Sequence, residues 1–106
     1  MKNGIYAVKF ATPRGSGTGV AVIRDNKYHG GDNGYWYRGS FDVNSNAVQG
    51  KLHIENHTPH VQSVFGSINQ LDLDIAGTAQ DTSFSVTGNA AGQAIQISAR
   101  YVTDLI

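Results

Sequence analysis

The side chains in this sequence best able to do chemistry are three histidines, His53, His57 and His60, and two aspartates, Asp72 and Asp74. Neutral imidazoles are common metal ligands. Here, however, His53 falls on the polar side of an alternating segment, and His57 and His60 flank Pro59 in a loop. No cysteine or carboxylate completes a recognised ligand spacing, so ordinary surface histidines are expected, with no metal. Asp72 and Asp74 stand two apart on one strand face. A carboxylate pair serves glycoside or metal chemistry only inside an enclosing cleft with a positioned partner. A solvated face that discourages edge pairing is the expectation. Asp32, inside Gly30-Gly31-Asp32-Asn33-Gly34, has the setting of a turn former whose carboxylate bonds backbone amides two residues on.

The remaining candidates also fall short of an enzyme. Gly15-Ser16-Gly17-Thr18-Gly19 lacks the lysine and the following helix that a phosphate-cradling loop needs. Ser16, Ser40 and Ser63 have neither a Gly-x-Ser-x-Gly frame nor a paired base. The absence of cysteine excludes disulfides, zinc–thiolate sites and thiol nucleophiles. No catalysis and no cofactor are expected.

The elements that must position these residues are strands. The chain has 106 residues, the size of one domain with one modest core. Eight basic and eight acidic residues are spread singly along it, for a net charge of zero. No basic stripe is available for a phosphate backbone, so direct nucleic-acid binding is not expected. The opening, Met1 to Phe10, is interrupted by Lys9 and is too short an apolar run for a signal peptide, and no later run approaches a membrane span. A cytoplasmic protein without membrane contact is expected.

Two-residue alternation recurs throughout. Tyr6, Val8 and Phe10 share one face, with Ile5, Ala7 and Lys9 on the other. A turn over residues 12–17 leads to a strand from Thr18 to Arg24 that is apolar on both faces, and Asp25-Asn26-Lys27 turns into Tyr28. Tyr35, Tyr37, Gly39 and Phe41 alternate with Trp36, Arg38 and Ser40, and Asp42 to Asn46 is expected as the next turn. Val48, Leu52 and Ile54, then Leu71, Leu73 and Ile75, then Phe84 and Val86, then Ile95, Ile97 and Tyr101 repeat the pattern. Residues 77–81 and 88–92 read as turns between them. The irregular piece runs from Asn56 to Asn69, where Val61, Val64 and Phe65 suit a cap over a barrel mouth or a short helix.

About eight short strands in meander order, each with one apolar face, must close into a barrel or fold into a sandwich. Glycines inside strands favour an all-β, eight-stranded, antiparallel up-and-down barrel forming one domain over residues 1–106. Its core should hold Leu52, Ile54, Leu73, Phe84 and Ile97. The inward aromatics Tyr6, Phe10, Tyr35, Tyr37, Phe41, Phe84 and Tyr101, with Leu52 and Ile54, either fill the lumen or line a pocket for a small apolar ligand. Trp36 points the other way. An outward tryptophan beside Arg38 and Tyr28 suits a protein interface.

An ordered set of pieces carries a resemblance. Asn3 to Tyr6 is followed by the Gly17 to Ala21 strand, by Gly30-Gly31-Asp32, by Tyr35, Tyr37 and Gly39, and by Leu52-His53-Ile54. Together they resemble the GrlR family, bacterial negative regulators of type III secretion gene expression. The resemblance implies a lipocalin-like barrel, a homodimer and no catalysis. It also implies a transcriptional activator as partner, bound in the family through an exposed acidic loop, Glu-Asp-Glu-Asp. The matching segment here is Phe41 to Ala47, and of its residues only Asp42 is acidic. The expected partner-binding residues are therefore Trp36 and Arg38 with Asp42, Asn44, Ser45 and Asn46 at the matching position.

Overall fold

In the computed structural model, which describes residues 1–58, 70–90 and 92–106, the alternating segments become eight strands. They are β1 (Gly4–Thr12), β2 (Gly15–Arg24), β3 (Lys27–Gly31), β4 (Tyr35–Asn44), β5 (Ala47–Asn56), β6 (Gln70–Ala79), β7 (Ser83–Ala90) and β8 (Gln93–Thr103). Every strand pairs antiparallel with its neighbour in sequence, and β8 returns to β1 to close the barrel. Among the described residues there is no helix. The expected cap or short helix of the 56–69 segment, with Val61, Val64 and Phe65, falls in 59–69, outside the described residues.

The turns are tighter than the sequence suggested. Thr12 pairs with Gly15, so Pro13 and Arg14 alone make the first turn and β2 begins three residues earlier than expected. Asp25 and Asn26, at φ 54° and 62°, form a two-residue hairpin of the left-handed kind that matches strand twist. Asn44 pairs with Ala47, leaving Ser45 (φ 55°) and Asn46 as the whole connection between β4 and β5. The expected 42–46 turn is thus a correction: Asp42, Val43 and Asn44 stay in the ladder, because Val43 faces Val48 across it and packs against the core. Residues 77–79 likewise stay in β6.

Glycine lies inside strands because the barrel is strongly coiled. A Cβ on Gly39 would stand 2.2 Å from the Lys51 carbonyl oxygen and 2.5 Å from the Tyr28 ring. An aromatic ring instead lies across the strand opposite each such gap: Phe10 pairs with Gly17, Tyr28 with Gly39, Tyr37 with Gly30 and Phe41 with Gly50. Covering a strand glycine with a cross-strand ring restores the buried surface that glycine lacks. Two of these rings also carry a hydroxyl that reaches a strand carbonyl, Tyr28 donating to Lys51 O and Tyr37 to Gly31 O, each at 3.4 Å. Burial pushes both phenols well above the ordinary tyrosine range, so they stay neutral donors.

The core is the barrel interior. Tyr6, Val8, Phe10, Ile23, Tyr35, Tyr37, Phe41, Leu52, Ile54, Leu73, Val86, Ile95 and Ile97 are buried there, and among the described residues no polar or charged residue joins them. Of the five expected core residues, Leu52, Ile54, Leu73 and Ile97 are buried and Phe84 is half-buried. Opposite walls touch across the lumen, as with Phe10 and Tyr37 (ring centroids 6.3 Å apart) and Phe41 and Phe84 (6.5 Å).

Candidate functional site

The Gly-Gly-Asp-Asn-Gly turn closes one end of the site region. Asp32 accepts hydrogen bonds from the Gly34 and Tyr35 amides at 2.9 and 2.8 Å, as its sequence setting suggested. His57 fastens the end of β5 to this turn. Its Nε2–H donates to Asp32 O (3.0 Å) and its amide to Gly34 O (2.9 Å). Because a carbonyl only accepts, Nε2 carries a proton, and Nδ1 lies 2.7 Å from the Thr58 hydroxyl. His57 is a clamp rather than a reactive group. Among the described residues no three His, Cys, Asp or Glu are placed to hold a metal ion.

From this turn β4 runs out with Trp36 and Arg38 on the wet side, and the register of three strands gathers a polar cluster beside them. Arg38 faces His53 on β5, His53 faces Asp72 on β6, and Lys51 faces Asp74. Lys51 Nζ lies 2.9 Å from Asp74 Oδ1, an exposed pair. The Asp74 hydrogen bond holds the Lys51 ammonium above its usual range. His53 is the more enclosed centre of the group, its side chain only 22% exposed. Nδ1 lies 2.7 Å from Asp72 Oδ1 and Nε2 lies 3.3 Å from Glu55 Oε1. Trp36 covers the imidazole with ring centroids 5.3 Å apart, and the Arg38 guanidinium sits 5.7 Å from the Trp36 ring. The Asp72 hydrogen bond, helped by Glu55, raises the His53 pKa above the ordinary histidine value.

This arrangement corrects two expectations. Trp36 is outward but half-buried, because Arg38 and His53 flank it. Tyr28 does not share its face: it is buried in the lumen, 6% exposed, across from Gly39. The cluster occupies one wall of a shallow concavity over β3 to β7, lined by His29, Arg38, Lys51, His53, Asp72 and Asp74. Asp42, Asn44, Ser45 and Asn46 are exposed on the β4–β5 hairpin, Asp42 lining a second concavity with Lys51 and Asp74. Sequence reasoning found Trp36 and Arg38, set His53 and Asp72 aside as ordinary surface, and did not single out Lys51 or Glu55. Alternation places them outward; only the β5–β6 register, with partners 19 to 23 residues apart, brings them together.

The lumen residues behave differently. Phe10, Tyr35, Tyr37, Leu52, Ile54 and Phe84 line a purely apolar cavity of about 30 Å³, whereas Tyr6 and Tyr101 stand apart from it. Tyr6 donates to Lys2 O at 2.6 Å, and Tyr101 packs edge-on against it while donating to Asp104. These contacts belong to the β1–β8 seam, where a bulge between Ile5 and Tyr6 leaves Val102 out of the pairing. Val102 and Val20 are 52% and 54% exposed, and with Ile5, Ala7 and Val22 they make the outside of β1, β2 and β8 the apolar counterpart of the Trp36 face.

The described residues therefore offer a packed interior and a built polar outer face, and no helix long and apolar enough to cross a membrane. Comparison with curated proteins gives no significant match. A family model described as the T3SS negative regulator GrlR matches residues 1–105, the whole barrel included. Since that match spans nearly the entire chain, this protein belongs to the GrlR family of type III secretion negative regulators.

Proposed function

We propose that this barrel regulates by protein–protein contact, without catalysis, and that its outer face on β4, β5 and β6 is the surface that meets a transcriptional activator in the bacterial cytoplasm. The observation carrying this reading is the Trp36–Arg38–His53 stack. A half-buried tryptophan in contact with a guanidinium and an imidazole offers a large rigid contact area and a nearby cation, the residue types that dominate protein interfaces. The four-acid loop of the family has no counterpart here, since of Phe41 to Ala47 only Asp42 is acidic. The activator would instead be held by Trp36 and Arg38, with Asp42, Asn44, Ser45 and Asn46 at the rim. Co-purification with a type III secretion activator from the native host tests this. A stable complex that weakens at least about tenfold, or about 1.4 kcal/mol, with Trp36→Ala is expected. An activator that binds equally well to Trp36→Ala contradicts it.

The homodimer is part of the same proposal. We place it on the outside of β1, β2 and β8, where Val20 and Val102 are open, and leave the Trp36 face to the activator. Sedimentation separates the two surfaces. Val20→Asp should yield monomers at tens of micromolar while Trp36→Ala stays dimeric, and the reverse pattern moves the dimer to the Trp36 face. Binding of a small apolar ligand would require the walls to part. A cavity of about 30 Å³ has room for a water molecule or two, whereas ligand pockets are on the order of 300–1,000 Å³.

A further inference from the structure

The geometry points to His53 as a proton-operated switch of the Trp36–Arg38 face: the imidazolium bridges Asp72 and Glu55 and leaves Arg38 open, while the neutral ring releases one carboxylate. The reason lies in the donor count. A neutral imidazole has one N–H and one lone pair, so it can donate to only one of two carboxylates; the cation donates to both. Both ring nitrogens here face carboxylate oxygens, at 2.7 and 3.3 Å, and carboxylates only accept. The observed arrangement is therefore that of the charged ring. Loss of the proton breaks one arm, the longer Glu55 contact first.

The groups around the ring define what changes. From β4 it faces Arg38 and Trp36, from β6 Asp72, with Asp74 one pair further along, and on its own strand Lys51 and Glu55; His29 on β3 lies beyond Arg38. With His53 charged, three cations (Arg38, Lys51, His53) balance three carboxylates (Glu55, Asp72, Asp74). The carboxylates are taken up by Lys51 and His53, and among the described residues Arg38 forms no ion pair and lies over the Trp36 ring. With His53 neutral the cluster carries one net negative charge. Glu55, paired across the ladder with Trp36, is then free beside Arg38 and competes with any incoming carboxylate. The ordinary histidine value of 6.5 and the upward shift put this change above pH 6.5. The regulatory consequence rests on the proposed function: a partner that reaches Arg38 through a carboxylate binds the protonated form.

Trp36 is the sole tryptophan, so the switch can be read in the free protein. A protonated imidazole in ring contact quenches indole emission. Emission of the full chain titrated between pH 5 and 9 should rise through a single midpoint above 6.5. The step should vanish in His53→Gln, persist in His29→Gln and move down toward 6.5 in Asp72→Asn. Flat emission in the wild type, or a step that survives His53→Gln, overturns the switch. Circular dichroism of His53→Gln confirms that the comparison is between folded proteins, and Asp72→Asn reports independently if it is not. Because no partner enters this titration, its failure is separate from failure of the partner-binding reading.

Discussion

The outer wall of the barrel has two halves built by the same rule with opposite results. On β1, β2 and β8 the outward positions hold Ile5, Ala7, Val20, Val22 and Val102 beside Lys9, Arg24 and Arg100; on β4, β5 and β6 they hold Trp36, Arg38, Lys51, His53, Asp72 and Asp74. Both rest on one interior of buried aliphatic and aromatic side chains. Alternation decides only which side chains leave the interior. What they do outside depends on which strands become neighbours. The first half is a mixed surface in which apolar side chains stand between exposed Lys9, Arg24 and Arg100. In the second, cross-strand pairs hold an aromatic and a cation in fixed positions.

The largest effect should come from the interior the halves share. Truncating Leu52, 3% exposed, to alanine should cost about 2–5 kcal/mol in denaturant unfolding. That is a large share of the stability of so small a domain. Val20→Ala, at an outward position more than half exposed, should change it by less than about 0.5 kcal/mol away from the dimer. Equal losses would mean that the two positions do not differ in burial. Next in size is Gly39→Val. The added side chain collides with the Lys51 carbonyl and the Tyr28 ring that fill the space beside β4, which should cost about 1–3 kcal/mol or more. A neutral outcome would show that the strands can move apart there, and would reopen the lumen as a ligand site.

The smallest effect distinguishes the halves by charge. The His53 pKa is raised in the folded chain, so its bonds to Asp72 and Glu55 stabilise fully below the unfolded value near 6.5 and fade as pH rises through the folded value. The stability difference between wild type and His53→Gln should therefore shrink from pH 5.5 to pH 8.5. The difference between wild type and Val22→Thr on the apolar half should stay constant. A His53→Gln difference independent of pH would mean that the imidazole is not charged in the native cluster.

Much of this was legible in the sequence. The Tyr6-Val8-Phe10 and Leu52-Ile54 alternations disclosed strands, meander order suggested closure, and Trp36 stood out as the aromatic on the wet side. Turn positions were less legible, because Gly17 and Gly77 look like turn residues unless one knows that a neighbouring ring or backbone occupies their Cβ positions. The His53 cluster was illegible for a different reason. His53 and Asp72 meet only through the β5–β6 register, and an undescribed stretch from 59 to 69 separates them in the chain. Tyr28 was misread outward because it was grouped with Trp36 across a turn, and the strand opposite it, apolar on both faces, gave no inner side to correct this; its pairing with buried Ile23 does.

The central claim is that the charged half, and not the apolar half or the lumen, carries regulation. Its most direct test is repression of a type III secretion reporter in the native host by wild type, Trp36→Ala/Arg38→Glu and an interior control, Ile54→Val, at matched protein levels. The account predicts repression by wild type and Ile54→Val and at least a tenfold weaker effect from the Trp36/Arg38 double variant. Undiminished repression by that double variant would contradict it.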